Sequence, residues 1–486
     1  MLIGREREIK KLKELYCNDS AELVAVYGRR RVGKTYLIDE ALAGKFTFRH
    51  AGLSPAEYRG MESEKKKNRL KDQLDHFYQS LLMQGMKRTA APQSWLEAFY
   101  MLEVFLQEKE KDTCRILVFL DEIQWLDTPK SGFMTGLEAF WNNWACHKHN
   151  VMVVVCGSSS SWILDKLINN HGGLYGRVTC QINLQPFTLH ECELFFEAKG
   201  VMMSRYDIVQ AYMTVGGIPY YLNYFKRELS LSQNIQEMFF APGAPLANEF
   251  DRLFSSLFVN AEVMQSIVRA LNTKNRGLTR AELLNITGIP ESGEFSRYLD
   301  ALITGTFIIR YYSFGNGKRE SFYKLADPFC IYYLKFVEGN TGKTNVDWVA
   351  LSDTQVVTSW KGLAFENVCF NHIKQIKSSL GISGVSTSES LWSKRGSEDA
   401  AGTQIDLIIE RKDNVLNMCE MKFYSQEFTV TKEYHFILER RKSMLYEKVS
   451  KKTSVHNTLI TTFGLKHTEY FSDIVNTITL EDLFQK

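Results

Sequence analysis

Three runs of consecutive apolar residues mark the first part of the chain: Leu23-Val-Ala-Val-Tyr27, Ile116-Leu-Val-Phe-Leu120 and Val151-Met-Val-Val-Val155. They are continuous rather than alternating and rich in β-branched residues, as in strands covered on both faces. Residues 1–190 therefore predict a parallel α/β sheet, with helices over Glu64 to Gln84 and Trp95 to Lys109 between the strands. Residues 191–255 are mostly helical by pattern, with a break at Gly216-Gly217-Ile218-Pro219. In 256–340, Ala261 to Leu271 reads as a helix, Thr279-Arg-Ala-Glu282 as a capping box opening a second, and Glu294 to Ile303 as a third. Phe307 to Tyr312 and Ser321 to Leu325 then flank a hairpin tip at Gly315-Asn316-Gly317-Lys318. Three short helices and a hairpin is the order of a winged helix-turn-helix. Residues 340–355 begin polar and look like a linker. Residues 356–486 show a helix around Leu363 to Ile376, strands near 403–409 and 415–422, and a basic helical run through Arg440, Arg441 and Lys442.

Composition narrows the picture only a little. The 486 residues suggest three or four domains at about 100–200 residues each. Net charge is +3, too mild to argue for nucleic acid without a local basic face. Nine scattered cysteines, with no C-x-x-C, point to buried thiols rather than a disulfide frame or a zinc site. The start, Met-Leu-Ile-Gly-Arg-Glu-Arg-Glu, does not read as a signal peptide. No apolar run approaches the roughly 20 residues that span a bilayer. The expectation is a cytoplasmic protein with no membrane partner.

Gly28-Arg29-Arg30-Arg31-Val32-Gly33-Lys34-Thr35 matches G-x-x-x-x-G-K-[ST], placed between an apolar strand and a helical stretch that begins at Tyr36. In that setting main-chain N–H groups close around phosphates, assisted by the helix N-terminus. Lys34 is expected to reach the β- and γ-phosphates of ATP, and Thr35 to hold Mg²⁺. Asp121 and Glu122 end the second apolar run. A carboxylate at the end of a buried strand needs a partner, which Mg²⁺ provides for Asp121. Glu122 is placed to activate the attacking water. Three weaker candidates accompany this site. Ser158 follows the third run and either senses the γ-phosphate or simply turns the chain. Arg177 is an arginine finger, in cis or on a neighbouring subunit, or a surface arginine. Pro219 packs on the adenine or merely breaks a helix.

Ile3-Gly4-Arg5-Glu6, Tyr27-Gly-Arg-Arg-Arg-Val-Gly-Lys-Thr35, Leu120-Asp-Glu-Ile-Gln-Trp125, Cys156-Gly-Ser-Ser159, Tyr175-Gly-Arg177 and Gly216-Gly-Ile-Pro219 together resemble the archaeal-type ATPases of the STAND branch of AAA+-related P-loop proteins. Each motif alone is common; the combination, over roughly residues 1–340, is specific. The resemblance implies an ATPase core, a helical lid and a winged helix. It also implies that Ile3, Gly4 and Arg5 border the adenine and that Pro219 is the lid contact to the nucleotide.

Near the C-terminus, Thr403-Gln-Ile-Asp406-Leu-Ile-Ile409 and Val415-Leu-Asn-Met-Cys-Glu420-Met-Lys422 read as two strands. Glu420 and Lys422, two apart, share a face. If the strands pair as a hairpin, Asp406 falls beside Glu420, and Glu366 on the preceding helix completes the group. Two carboxylates with a lysine make a site for a second Mg²⁺ or Mn²⁺ and a group able to position water. The spacing D-(x)13-E-x-K resembles the PD-(D/E)XK nuclease core, although Ile405 stands where that pattern has proline. An ordinary cross-strand salt-bridge face fits the same residues. Arg276, Arg280, Arg297, Lys318 and Arg319 near the expected winged helix suit DNA phosphates, whereas Glu282, Glu291 and Glu294 dilute them. The expected fold class is α/β: a P-loop core (1–190), a helical lid (191–255), a winged helix-turn-helix (256–340) and a PD-(D/E)XK-like domain (356–486). The expected function is a Mg²⁺-dependent ATPase switch coupled to DNA binding or cleavage. The alternative is a signalling scaffold that forms homo-oligomers on ATP and holds a partner through an inactive nuclease-like domain.

Overall fold

The computed structural model describes residues 3–54, 69–111, 113–169, 172–315, 321–340, 346–394 and 403–486. The hairpin tip at Asn316 to Lys318, Arg319, the first residues of the helix expected from Glu64, and the start of the expected linker lie outside them. The chain divides into two compact units: Met1–Pro186 with Ser255–Val259, and Phe187–Phe254 with Asn260–Lys486.

The first unit is built on β1 (Glu22–Tyr27), β2 (Phe48–Ala51), β3 (Ile116–Asp121), β4 (Val151–Gly157) and β5 (Cys180–Asn183), all parallel, in the order β2-β3-β4-β1-β5. The three apolar runs are the three inner strands, and every residue in them is buried. The outer strands carry no such signal. In β2 only Phe48 and His50 are buried, and in β5 only Ile182. An edge strand with one wet face has no reason to be continuously apolar. From β1 the chain runs to one edge of the sheet, returns as far as β4, and then crosses to β5 on the other side. Open α/β sheets form their ligand crevice beyond the strand ends at such a reversal. Tyr27 lies level with Gly157, and Asp121 ends the neighbouring strand at the same edge of the sheet. Helices Arg69–Met83, Trp95–Lys109 and Phe133–Asn143 bring Phe77, Trp95, Phe99 and Phe133 into one aromatic cluster, with Trp95 and Phe133 edge to face at 5.0 Å.

The second unit opens with helices that include Leu189–Ala198, Arg205–Val215 and Leu231–Phe239. Helices Ala261–Leu271, Arg280–Thr287 and Gly293–Thr304 follow, with a small antiparallel sheet of β6 (Leu278–Thr279), β7 (Ile308–Tyr312) and β8 (Ser321–Leu325) in the order β6-β8-β7. The Thr279 hydroxyl accepts from the Glu282 N–H at 3.2 Å and the Glu282 carboxylate from the Thr279 N–H at 2.9 Å. The two-residue β6 gave no sequence signal. Helices Gln355–Asn371 and Ile373–Ser379 lead to β9 (Thr387–Lys394), β10 (Thr403–Arg411), β11 (Val415–Lys422), β12 (Ser454–Thr461) and β13 (Asn476–Ile478). These form a mixed sheet in the order β13-β12-β11-β10-β9.

Two expectations are corrected here. The described part of the expected linker is packed rather than free. Trp348 is buried, and its ring stacks on Phe240 at 5.7 Å. The helix expected through Ile376 is interrupted at His372, whose ring is fully buried. His372 Nδ1 bonds the Val368 carbonyl at 2.7 Å, and Nε2 accepts from the Leu189 N–H at 2.9 Å. Burial lowers its pKa to about 4, so it is neutral at physiological pH. That bond ties the first helix of the unit to the last third of the chain. Among the described residues no helix is long and apolar enough to cross a membrane.

Candidate functional site

β1 ends at Tyr27, and the loop that follows closes at Gly33, where helix Lys34–Ala41 begins. Gly28 has φ 145°, and a Cβ there would lie 2.3 Å from the Leu184 carbonyl oxygen. Only glycine lets the loop pass so close to the chain beyond β5. Arg31 (φ 72°) and Gly33 (φ 89°) are left-handed. Such residues curl the main chain so that N–H groups face a concavity suited to phosphate. Gly28→Ala is expected to destabilise the first unit by about 1–3 kcal/mol and to weaken ATP binding with it. Thermal unfolding and nucleotide titration check this; an alanine variant as stable and as tight-binding as the parent contradicts it.

Lys34 is buried and arches back over the loop, with Nζ 3.0 Å from both the Gly28 and Arg29 carbonyl oxygens. Thr35 donates its hydroxyl to Asp121 Oδ2 at 2.7 Å, although β4 lies between β3 and β1, the strand that leads into the loop. Arg29 and Val32 are buried and Tyr36 is exposed. The Arg30 guanidinium lies 5.7 Å from the Trp125 ring centre and donates to the Ser256 carbonyl at 3.4 Å. Ile3 is half-buried; Gly4 and Arg5 are buried with left-handed backbones, and Arg5 Nη2 donates to the Gln185 carbonyl at 2.5 Å.

Burial raises the Asp121 carboxyl above its ordinary pKa, and hydrogen bonds from Thr35 and others oppose the shift only in part. Among the described residues no lysine, arginine or histidine pairs with it. A buried, uncompensated carboxylate bonded to a hydroxyl in the first turn of the helix that follows a phosphate-type loop is a donor set that hydrated Mg²⁺ suits. The fully buried Cys156 thiol of β4 hydrogen-bonds Asp121, and burial first, then that carboxylate, holds it protonated.

Glu122 adopts a left-handed backbone, φ 45°, which aims its side chain across the strand ends. Its Oε2 accepts from the Ser158 hydroxyl at 2.8 Å, from the Ser158 N–H at 3.3 Å and from the Gln124 amide. Gln124 also reaches the Ser158 hydroxyl at 3.2 Å. A Cβ on Gly157 would come within 2.5 Å of Gln124 Oε1, so the glycine leaves that amide its place. Ser158 thus engages Glu122 directly. Gln124 received no role from the sequence; its only signal was its place two residues after Glu122. Arg177 is exposed in a turn, with no ion pair among the described residues. Pro219 belongs to the second unit, as the first residue of a short helix.

The C-terminal candidates also gather. β10 and β11 pair antiparallel with Leu407 opposite Cys419, which sets Asp406 beside the Glu420–Met421 segment. Asp406 Oδ2 accepts from the Met421 N–H at 3.0 Å, and Lys422 Nζ lies 3.5 Å from Glu420 and 3.9 Å from Asp406. Glu366 on helix Gln355–Asn371 is buried and ion-paired to buried Lys324 at 3.4 Å; Asn275 donates to it at 3.1 Å. Burial, first, and the charge of Asp406 raise the pKa of both Glu366 and Glu420. The two are not free as metal ligands. Glu420 is held by Arg441 at 2.5 Å and by the Tyr434 hydroxyl at 2.9 Å. Among the described residues no three His, Cys, Asp or Glu side chains are grouped to hold a metal ion. Lys324, Asn275, Tyr434 and Arg441 were not anticipated, because they come from distant segments.

Residues 2–225 match the family described as an ATPase domain predominantly from Archaea. An uncharacterised protein of Methanocaldococcus jannaschii is 24% identical over 344 residues, 70% of this chain and 70% of that protein. An uncharacterised ATP-binding protein of the same organism is 42% identical over 45 residues, 9% of this chain and 76% of that protein. Similar solved structures include a Walker-type ATPase of Pyrococcus abyssi, with TM-score 0.47 and 19% identity, covering 69% of this chain and 96% of that one. Another is the ORC2 protein of Aeropyrum pernix, with TM-score 0.43 and 12% identity, covering 69% and 94%. Over residues 2–225, then, the chain is similar to an ATPase domain of the type found predominantly in Archaea.

Proposed function

We propose that the chain is a Mg²⁺-dependent ATPase that works as a nucleotide switch. The main support is the Thr35–Asp121 hydrogen bond, which joins loop hydroxyl and strand carboxylate, with Glu122 latched close by. On this reading the loop N–H groups and Lys34 bind the phosphates, and Thr35 and Asp121 hold Mg²⁺. Bound Mg²⁺ supplies positive charge against the phosphate oxygens. Lys34 exchanges the Gly28 and Arg29 carbonyls for phosphate oxygens. Glu122 leaves Ser158 and Gln124 and orients the attacking water. Ile3, Gly4 and Arg5 border the adenine; Arg177 serves as an arginine finger, and Pro219 and the helices of 191–255 as a lid. Phosphate release by the purified full-length chain, with and without EDTA, tests this. Turnover that EDTA stops is expected; neither uptake nor turnover of Mg·ATP overturns it.

We further propose that residues 256–340 are a winged helix and that 356–486 form a PD-(D/E)XK-like domain acting on DNA. The support is that Asp406, Glu420 and Lys422 meet on neighbouring strands and that Glu366 lies near enough to feel the Asp406 charge. Arg441 and Tyr434 then hold Glu420 in a closed arrangement that metal and DNA must open. Plasmid DNA with Mg²⁺ or Mn²⁺, with and without ATP, should be cut by the parent chain and left intact by Asp406→Ala. No cleavage under any nucleotide condition, together with an ATP-dependent rise in mass, assigns the chain instead to the oligomeric scaffold class.

A further inference from the structure

Each C-terminal candidate carboxylate is matched by a cation. Lys324 serves Glu366 at 3.4 Å, Lys422 serves Asp406 at 3.9 Å and Glu420 at 3.5 Å, and Arg441 also holds Glu420. Glu366, Asp406 and Glu420 thus face Lys324, Lys422 and Arg441, and their charges balance. A divalent ion would add positive charge to a buried group that is already neutralised, so the residues as arranged do not fit one. A cation has to withdraw first. Lys422 and Arg441 belong to β11 and to helix Lys432–Tyr446, inside 356–486. Lys324 does not: it lies on β8, within 256–340. Asn275, from the same stretch, donates to the Glu366 oxygen that Lys324 also reaches. That stretch is packed on the C-terminal sheet as well. The Phe314 N–H donates to the Leu391 carbonyl at 3.0 Å, and the Phe314 ring is buried with Trp392, Ile405 and Ile408.

We infer that residues 256–340 are a built-in inhibitor of the C-terminal domain, with Lys324 and Asn275 holding Glu366 in place of a divalent cation. The inference rests on the reading of 356–486 as a PD-(D/E)XK-like domain. A lysine suits the role: its ammonium is a compact charge on a flexible stem, which neutralises a carboxylate and leaves with the strand that carries it. Glu366 becomes free when β8 moves away from helix Gln355–Asn371. The carboxylates therefore answer to the position of 256–340, a part of the chain that supplies none of them.

The test is titration of the nucleotide-free, full-length chain with Mn²⁺, followed by the electron paramagnetic resonance signal of the free ion. Lys324→Met is expected to bind Mn²⁺ at least about tenfold tighter than the parent. Asn275→Ala removes only a neutral donor from a half-buried position, and should tighten binding about two- to tenfold. Should Lys324→Met not fold, Asn275→Ala carries the decision. Adding Asp406→Asn to either variant should abolish the gain. A parent that binds Mn²⁺ as tightly as the variants overturns the inhibitor role and leaves the metal-site reading standing. Mn²⁺ uptake by none of the proteins overturns both. A gain that survives Asp406→Asn places the ion elsewhere and overturns the inference too.

Discussion

Replacing Glu122 by glutamine is expected to lower ATP turnover by about 10²–10⁴-fold while Mg·ATP still binds. Glutamine keeps the size and the polar contacts of the side chain. Its amide still meets the Ser158 hydroxyl, which donates or accepts as required, although the bonds from the Ser158 N–H and the Gln124 amide lose their carboxylate acceptor. What disappears is the group able to take a proton from water. Lys34→Ala should act differently. It removes the cation that rests on the Gly28 and Arg29 carbonyls, so binding and turnover both fall. The pair of variants separates chemistry from binding, through single-turnover phosphate release set against nucleotide affinity. Equal loss of affinity in both variants would place Glu122 among the binding groups, and normal turnover in both would remove the proposed site altogether.

Lys324→Met is expected to cost about 3–5 kcal/mol of stability at neutral pH. Lys324 and Glu366 are both buried, 3% and 9% exposed in their side chains, and each is the other's charge partner. Methionine keeps the apolar stem against Phe370, 5.1 Å from the ammonium position, but leaves a buried carboxylate with only the Asn275 amide. The pH dependence follows from the sign of the shift. Burial already raises the Glu366 carboxyl above its ordinary value, and Lys324 is what opposes that rise. Without Lys324 the folded pKa climbs further above that of the unfolded chain. Between those two values the folded state binds a proton that the unfolded state does not, so acid favours folding. The deficit of Lys324→Met should therefore be largest near pH 8 and shrink as pH falls. Adding Glu366→Gln should recover most of the loss at pH 8, since no buried charge then remains. Chemical denaturation at several pH values checks both points. A deficit that grows in acid, or that the double variant keeps in full, contradicts the assignment.

How much of this was legible beforehand differs along the chain. The inner strands were visible because burial on both faces demands unbroken apolar runs, and β1, β3 and β4 have them. The phosphate loop was visible because its geometry imposes residue types locally: glycine where a side chain meets Leu184, lysine and threonine at the helix start. Neighbours in sequence are neighbours in space there, so spacing alone carries the chemistry. The antiparallel partnership of Asp406 with the Glu420 strand was likewise readable from two strands and the short turn between them.

Folding added everything that depends on partners far apart in the chain. Nothing local announces that Thr35 reaches Asp121 across an intervening strand, or that Ser158 holds Glu122. Nothing local says that His372 caps the chain at Leu189, 183 residues earlier, or that Glu366 is paired with Lys324 and Glu420 with Arg441. Edge strands such as β2 and β5 escaped for a related reason: their place is set by a hydrogen-bonding neighbour, not by their own hydrophobicity. Local sterics and burial write themselves into residue order. Charge pairing and hydrogen bonding between remote segments do not, because any of many lysines, arginines or amides could have served, and only the packed chain selects which one does.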